Sequence, residues 1–346
     1  MKNALKITVM VVIALICFSA GVLAYLVYPG TPSRSTAMTF DGFIKLPRFR
    51  LLNILDYITI KDHILFVTDE TSGTVFKVNL DPNIQSAGDS VAQMPGNGSI
   101  HGVALAPEQN IAFVTRSGEN TVDVFDPATL QQLGRIPVAD DPDAILYDPL
   151  TRLVYVASGD AKLITLIDPE KRATVGTVPL PGKPEFLVVD SQSRLLYQNL
   201  EDINAVAAID LDKRSVVGQW PLAPCERPSG MAIDFERRRL FAVCKGNAKL
   251  VVFDLETHRV VTSMEIGGGP DSVAFDRTLH RIYSAGKAGQ LTVIQQVGPD
   301  SYRLLDEIHT HYGAHTLAVD PISHKVFVAY ASLLANPRIA VFSPTP

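Results

Sequence analysis

Residues 153–180 read LVYVASGDAKLITLIDPEKRATVGTVPL. An aromatic-led apolar run, Leu153 to Ser158, is followed by the polar stretch Gly159-Asp160-Ala161-Lys162. A second apolar run ends in Ile167-Asp168-Pro169, and a third follows as Gly176-Thr177-Val178-Pro179-Leu180. Val, Ile and Tyr in runs this short favour pleated, half-buried strands. No apolar period of 3.6 residues marks a helix.

The unit recurs along the chain. Its aromatic reappears in Phe66-Val67-Thr68, Phe113-Val114-Thr115, Tyr155-Val156-Ala157, Tyr197-Gln198-Asn199, Phe241-Ala242-Val243, Tyr283-Ser284-Ala285 and Phe327-Val328-Ala329. The steps are 47, 42, 42, 44, 42 and 44 residues. A second marker keeps the same step, with third strands ending in Asp81, Asp126, Asp168, Asp210 and Asp254. Four short strands per 40–45 residues are the signature of a β-propeller blade, which buries its faces only against neighbouring blades. Seven copies predict an all-β, seven-bladed β-propeller with four-stranded antiparallel blades. The last repeat stops at its third strand, Arg338 to Phe342, while GFIKLP at 42–47 precedes the first repeat. Residues 42–47 are therefore expected to close the last blade, within one domain spanning 40–346.

The N-terminus reads differently. Residues 7–28 (ITVMVVIALICFSAGVLAYLVY) carry no charge, enough to cross a bilayer as a helix. Lys2 and Lys6 precede the run and keep that end cytoplasmic. Two readings stay open for 1–28: a signal-anchor, favoured by the apolar run past Ala24, and a signal peptide cleaved after Val22-Leu23-Ala24. Either puts the rest of the chain on the periplasmic, extracytoplasmic side, anchored or secreted. Residues 29–39 (PGTPSRSTAMT) read as an exposed linker. The net charge is −5, and residues 1–36 hold Lys2, Lys6 and Arg34 without an acid, leaving −8 on the remainder. Such a surface disfavours generic nucleic-acid binding.

The repeats resemble the YVTN β-propeller family, most closely in Leu153-Val154-Tyr155-Val156-Ala157-Ser158. Within it the chain looks like the YncE-like extracytoplasmic propellers, on the segment from Cys225 to Cys244, PDSVAFD at 270–276 and GAHTLAVDPISHKVFVAY at 313–330. The resemblance implies the fold; the family has no agreed reaction. Blade 4 departs from the pattern at Gln198-Asn199.

The innermost strand of each blade starts near one end of the central channel. Those starts are Asp56 or Tyr57, His101, Asp143, Glu185, Ser229, Asp271 and His315. Polar residues from seven blades converging on one opening are the candidate ligand site, against the plainer reading of a hydrated channel mouth. His101 and His315 are candidates for a divalent transition metal. Asp143, Glu185 and Asp271 are candidates for calcium, as in propeller lactonases. His309 and His311 in HTHYGAH read as a solvated outer strand, and Arg237-Arg238-Arg239 as a solvated turn. Cys225 and Cys244 flank one antiparallel pair at the same blade edge. A disulfide is expected there outside the cytoplasm, a pair of buried thiols being the alternative. Gly267-Gly268-Gly269-Pro270 lacks the phosphate-loop GxxxxGK[ST] and reads as a turn between blades, and no GxSxG, HExxH or CxxCH occurs. The leading expectation is a non-catalytic, monomeric binding or scaffold propeller for a small molecule or envelope protein. Alternatives are a cation-dependent lactonase or other hydrolase, and an envelope metal-binding protein.

Overall fold

A strand with apolar residues on both faces needs cover on both sides. The computed structural model, describing residues 30–47, 51–81, 91–333 and 336–345, meets that need with seven radial blades. Each is a four-stranded antiparallel sheet, its strands here lettered a to d from the channel outward. Blade 3 is representative: Pro142–Asp148, Leu153–Ser158, Leu163–Asp168 and Ala173–Pro179. The repeat-marking aromatics all lie in strand b and are all buried.

The core is split into seven clusters, one per seam between neighbouring blades. Between blades 3 and 4, for example, Tyr155 and Leu166 pack with Leu187, Leu196 and Ala207. Between blades 7 and 1, Phe327, Ile339 and Val341 pack with Leu55, Val67 and Phe76. Four of the five Asp markers cap turns. Asp126, Asp168, Asp210 and Asp254 each accept two backbone N–H bonds from the c–d turn that follows.

Blade 7 takes its outermost strand from the chain start: Met38–Lys45 pairs antiparallel with Arg338–Pro344. That strand begins earlier than the expected 42–47 and ends before the buried Leu46. The reading of 29–39 as an exposed linker needs correction over its described part. Ser33 exchanges hydrogen bonds with the backbone of His309, and the Ser35 hydroxyl donates to Asp306 on the outer strand of blade 6. Ala37 and Met38 are buried. The apolar segment 7–28 lies outside the described residues, among which no helix is long and apolar enough to cross a membrane.

Three other local readings change. His311 lies beyond the end of the outer strand Ser301–His309, is buried, and stacks on Tyr330 at 5.9 Å; only His309 is exposed. The arginine triplet is structural. Arg238 donates to the fully buried Asp190 of blade 4 at 2.6 Å, Arg237 reaches Gln296 of blade 6, and Arg239 holds Asp254 and Asp300. The blade 4 departure also has a physical reason. Asn199 donates to the carbonyls of Ser229 and Gly230 in blade 5, as Thr115 of blade 2 donates to Asp143 O in blade 3. Gln198 donates to the carbonyls of Glu185 and Phe186.

Candidate functional site at the channel mouth

Strand pairing puts the start of strand a, the end of b, the start of c and the end of d on one face of the disc. In blades 1 to 6 the pairing register slips just after the first residue of strand a. Such bulges re-aim a side chain. The second residue of strand a is Asp56, His101, Asp143, Glu185, Ser229 or Asp271, while His315 immediately precedes strand a of blade 7.

His101 is the hub. Its Nδ1 lies 2.7 Å from Asp56 Oδ2 and 3.7 Å from Asp143 Oδ1, and its Nε2 lies 3.0 Å from the Ser117 hydroxyl. Burial opposes its charge, but the hydrogen bond to Asp56 and the carboxylates of Asp143, Asp56 and Glu70 override that and push its pKa up to about 10. Asp143 is pushed up to about 7 by burial, with Asp56 and Asp271 adding to it and the His101 charge opposing. Tyr57 is raised well above the ordinary phenol, first by burial and then by Asp143, Asp56, Glu185 and Asp271. Carboxylates from four blades thus converge over one ring. That ring stacks on Phe186 of blade 4 at 5.7 Å, so an aromatic pair from blades 1 and 4 floors the mouth.

On the opposite rim, Lys245 Nζ lies 3.0 Å from both Glu185 and Glu201, and Arg227 binds Glu201. Burial first, and then its hydrogen bond to Glu201, push the Glu185 carboxyl well above the ordinary range. For Glu201, burial favours the proton, but bonds from Glu185, Lys245 and Arg227 hold the pKa at about 2. Asp271 lies 3.3 Å from Lys287 and 3.8 Å from His315 Nε2.

The expected site residues do not act alike. His101, Asp143, Glu185 and Asp271 form the mouth, with Asp56. Ser229 is buried in the seam, where its hydroxyl donates to Pro270 O at 3.0 Å. His315 is also nearly buried, with its Nδ1 tied to Gly313 O and its Nε2 3.8 Å from Asp271. Among the described residues, the group close enough to share a metal ion is Asp56, Glu70 and His101, with ligand atoms within 4.8 Å of one another. Of the two metal candidates, His101 belongs to that group and His315 does not. Asp143, Glu185 and Asp271 do not form such a group among the described residues, and Glu185 is paired with Lys245.

Sequence reading missed a second ring, formed by the residues just after strand b: Glu70, Ser117, Glu201, Lys245 and Lys287. The antiparallel a–b pairing predicts it, because the end of b lies beside the start of a. It also missed a pocket of about 390 Å³ on this face, at the junction of blades 6, 7 and 1. Leu52, Ile54, Tyr312, Ala331 and Leu333 give it apolar walls, and Glu70, Lys287 and His315 join it to the mouth. Cys225 and Cys244 form a disulfide, Cα to Cα 5.3 Å, which ties the entry of blade 5 beside Lys245.

Solved structures share the architecture. One described as RRP9 WD40 repeats is similar with a TM-score of 0.73 at 11% identity, covering 92% of this chain and 100% of its own. A chain of a mitotic checkpoint complex is similar at 0.68 and 15%, covering 90% and 91%. A chain of the Kuenenia stuttgartiensis hydrazine synthase is similar at 0.67 and 16%, covering 79% and 92%. At these identities the likeness establishes the fold. No protein-family model and no curated protein matches the sequence.

Proposed function

We propose that this chain is a non-catalytic binding propeller of the YVTN-repeat, YncE-like kind, working on the extracytoplasmic face of the cytoplasmic membrane. Its ligand is a small organic cation with an apolar body, bound with its charge at the channel mouth and its body in the adjoining pocket. The observation that carries this is the continuity of the two. Asp56, Asp143 and Asp271 converge where Asp143 is already forced to hold a proton near neutral pH. Glu70, Lys287 and His315 connect that cup to an apolar cavity of about 390 Å³. A few convergent polar groups beside an apolar cavity are the usual make-up of a small-molecule site. The location is supported by the uncharged run 7–28 behind Lys2 and Lys6, and by the disulfide between Cys225 and Cys244.

Thermal unfolding with matched probes tests the ligand class. Octylammonium should raise the Tm, while octanoate and tetramethylammonium should not. Asp143→Asn and the pocket-filling Ala331→Trp should each abolish the shift. Equal effects of octylammonium and octanoate, or a shift that survives both substitutions, would refute the reading.

The Asp56, Glu70 and His101 group favours a second reading, a divalent cation at the mouth. Two carboxylates and an imidazole suit a transition metal. The ion would have to displace Asp56 from His101 Nδ1 or Ser117 from Nε2. Titration with Zn²⁺ and Mn²⁺, read by calorimetry on the native chain and on Glu70→Gln, separates this from the first reading. Heats identical in the two proteins would eliminate it.

A further inference from the structure

We infer that the channel-mouth face lies against the bilayer, with the patch around Leu51, Leu52 and Tyr312 seated in the lipid headgroup zone. This rests on the reading of residues 7–28 as a membrane anchor.

The path of the first described residues carries the inference. Ser33 is bonded to His309, the last residue of strand d of blade 6, at the channel-mouth face. Ser35 and Thr36 then bind Asp306 further down that strand. Ala37 O accepts from Arg281 and from Thr345 N at the opposite face, where Met38–Lys45 starts its return. The chain therefore comes onto the disc at the channel-mouth face and runs away from it, pinned along blade 6. Tyr28, the last residue of the apolar run, is five residues before Ser33. Five residues reach about 17 Å at full extension. An anchor ending at Tyr28 leaves too little chain for the disc to turn its other face to the membrane.

The surface at that point suits the contact. Tyr312, three residues from His309, is 60% exposed, and Leu51 is also 60% exposed. Leu52 and Leu333 pair in a two-stranded ribbon beside them and line the pocket. Lys287 lines the same pocket, and the exposed Lys45 and Arg34 lie on the same face, at the end of strand d of blade 7 and beside the Ser33 contact on blade 6. Leucines and a tyrosine edged by basic side chains match a headgroup interface, with apolar groups inserted and cations at phosphate level. On the opposite face, Ile322 in the a–b turn of blade 7 is as exposed but lies far from the entry of the chain. The pocket would then open beside the lipid surface, from which an amphipathic ligand could enter directly.

The test uses the full chain in nanodiscs whose lipids are brominated on their acyl chains. The protein has a single tryptophan, Trp220, in the outer strand of blade 4, so the unaltered chain gives the background. Tyr312→Trp and Leu51→Trp, both at exposed positions, should lose fluorescence about twofold on brominated lipid relative to unbrominated lipid, as interfacial insertion brings the ring to the acyl boundary. Ile322→Trp should be unchanged. Chains that co-elute with the discs without quenching at Tyr312→Trp and Leu51→Trp, or with equal quenching at Ile322→Trp, overturn the inference and leave the anchor intact. Chains that do not co-elute with the discs overturn the anchor and the inference together.

Discussion

His101→Gln keeps much of the shape of the ring and removes its charge. In the folded chain His101 holds its proton up to about pH 10, because the Asp56 bond and the carboxylates of Asp143 and Glu70 outweigh its burial. In the unfolded chain the ring lets go near 6.5. Between those values the folded state binds one more proton than the unfolded state. Stability therefore falls as pH rises, by about 1.4 kcal/mol per pH unit. The contribution is complete below pH ~6.5 and gone above ~10, with a ceiling of about 5 kcal/mol over the window. Asp143 works in the same sense lower down. Its folded pKa of about 7 exceeds that of an unfolded aspartate, so ionising it costs stability as pH rises from ~4 to 7. Urea unfolding from pH 5 to 10.5 should show the native chain losing stability steadily above neutrality. The variant should lie several kcal/mol below it at pH 7 and meet it near pH 10. Ring NMR should place the His101 transition near 10. A transition near 6.5, or two stability curves that stay parallel, would refute the account of the hub.

Asn199→Ala strips the donor from two buried carbonyls of blade 5 and should cost about 2–4 kcal/mol in urea unfolding. Asn199→Thr, the residue that serves at Thr115, should recover part of that loss. Arg238→Ala leaves the Asp190 carboxylate fully buried without its cation, a loss of about 3–5 kcal/mol. Adding Asp190→Asn should recover most of it, and a double variant as unstable as the single one would argue against the pair. Replacing Cys225 and Cys244 together with serine opens a loop of sequence separation 19 and should lower stability by about 3 kcal/mol. Deleting residues 33–45 uncovers the edge of Arg338–Pro344 and should abolish cooperative thermal unfolding, and an unchanged melt would mean the ring does not need that strand.

The fold was legible because each blade repeats the same solution. Phe113, Tyr155 and Phe241 recur where strand b must fill a seam, and Asp126, Asp168 and Asp254 recur where a c–d turn must be capped. Such marks survive in one dimension because they serve local geometry. The mouth was legible only in part. The starts of strand a could be counted from the repeat, which located His101, Asp143, Glu185 and Asp271. What those side chains touch depends on neighbouring blades, about 42 residues away in sequence. Ser229 turns into a seam because Pro270 O waits there, and His101 bonds to Asp56 across 45 residues. Glu70, Lys245 and Lys287 carry no motif, and their place follows only from pairing the end of b with the start of a. The pocket was not legible at all, since Leu52, Tyr312 and Leu333 meet only when the ring closes.

The two faces of the disc use polar residues differently, and that difference supports the proposal that the mouth is the binding face. On the face away from the mouth, the aspartates ending strand a in blades 4, 5 and 6 each cap their own turn and take a donor from the next blade. Arg238 serves Asp190, Gln296 serves Asp234, and His324 serves Asp276. These three pairs fasten blade to blade, each acid with one donor from its neighbour. At the mouth, Asp56 and Asp143 compete for one imidazolium, burial and Glu201 push Glu185 well above the ordinary carboxylate range, and Asp143 is pushed up to about 7. Seams elsewhere in this molecule are fastened by hydroxyls and amides without that frustration, as Thr115 and Asn199 demonstrate. Acids crowded at a mouth floored by Tyr57 and Phe186 are a poor way to stabilise a ring and a good way to receive a positive charge. Burial first and then the Asp56 and Asp271 carboxylates lift Asp143, and a bound cation would offset both by favouring its charged form.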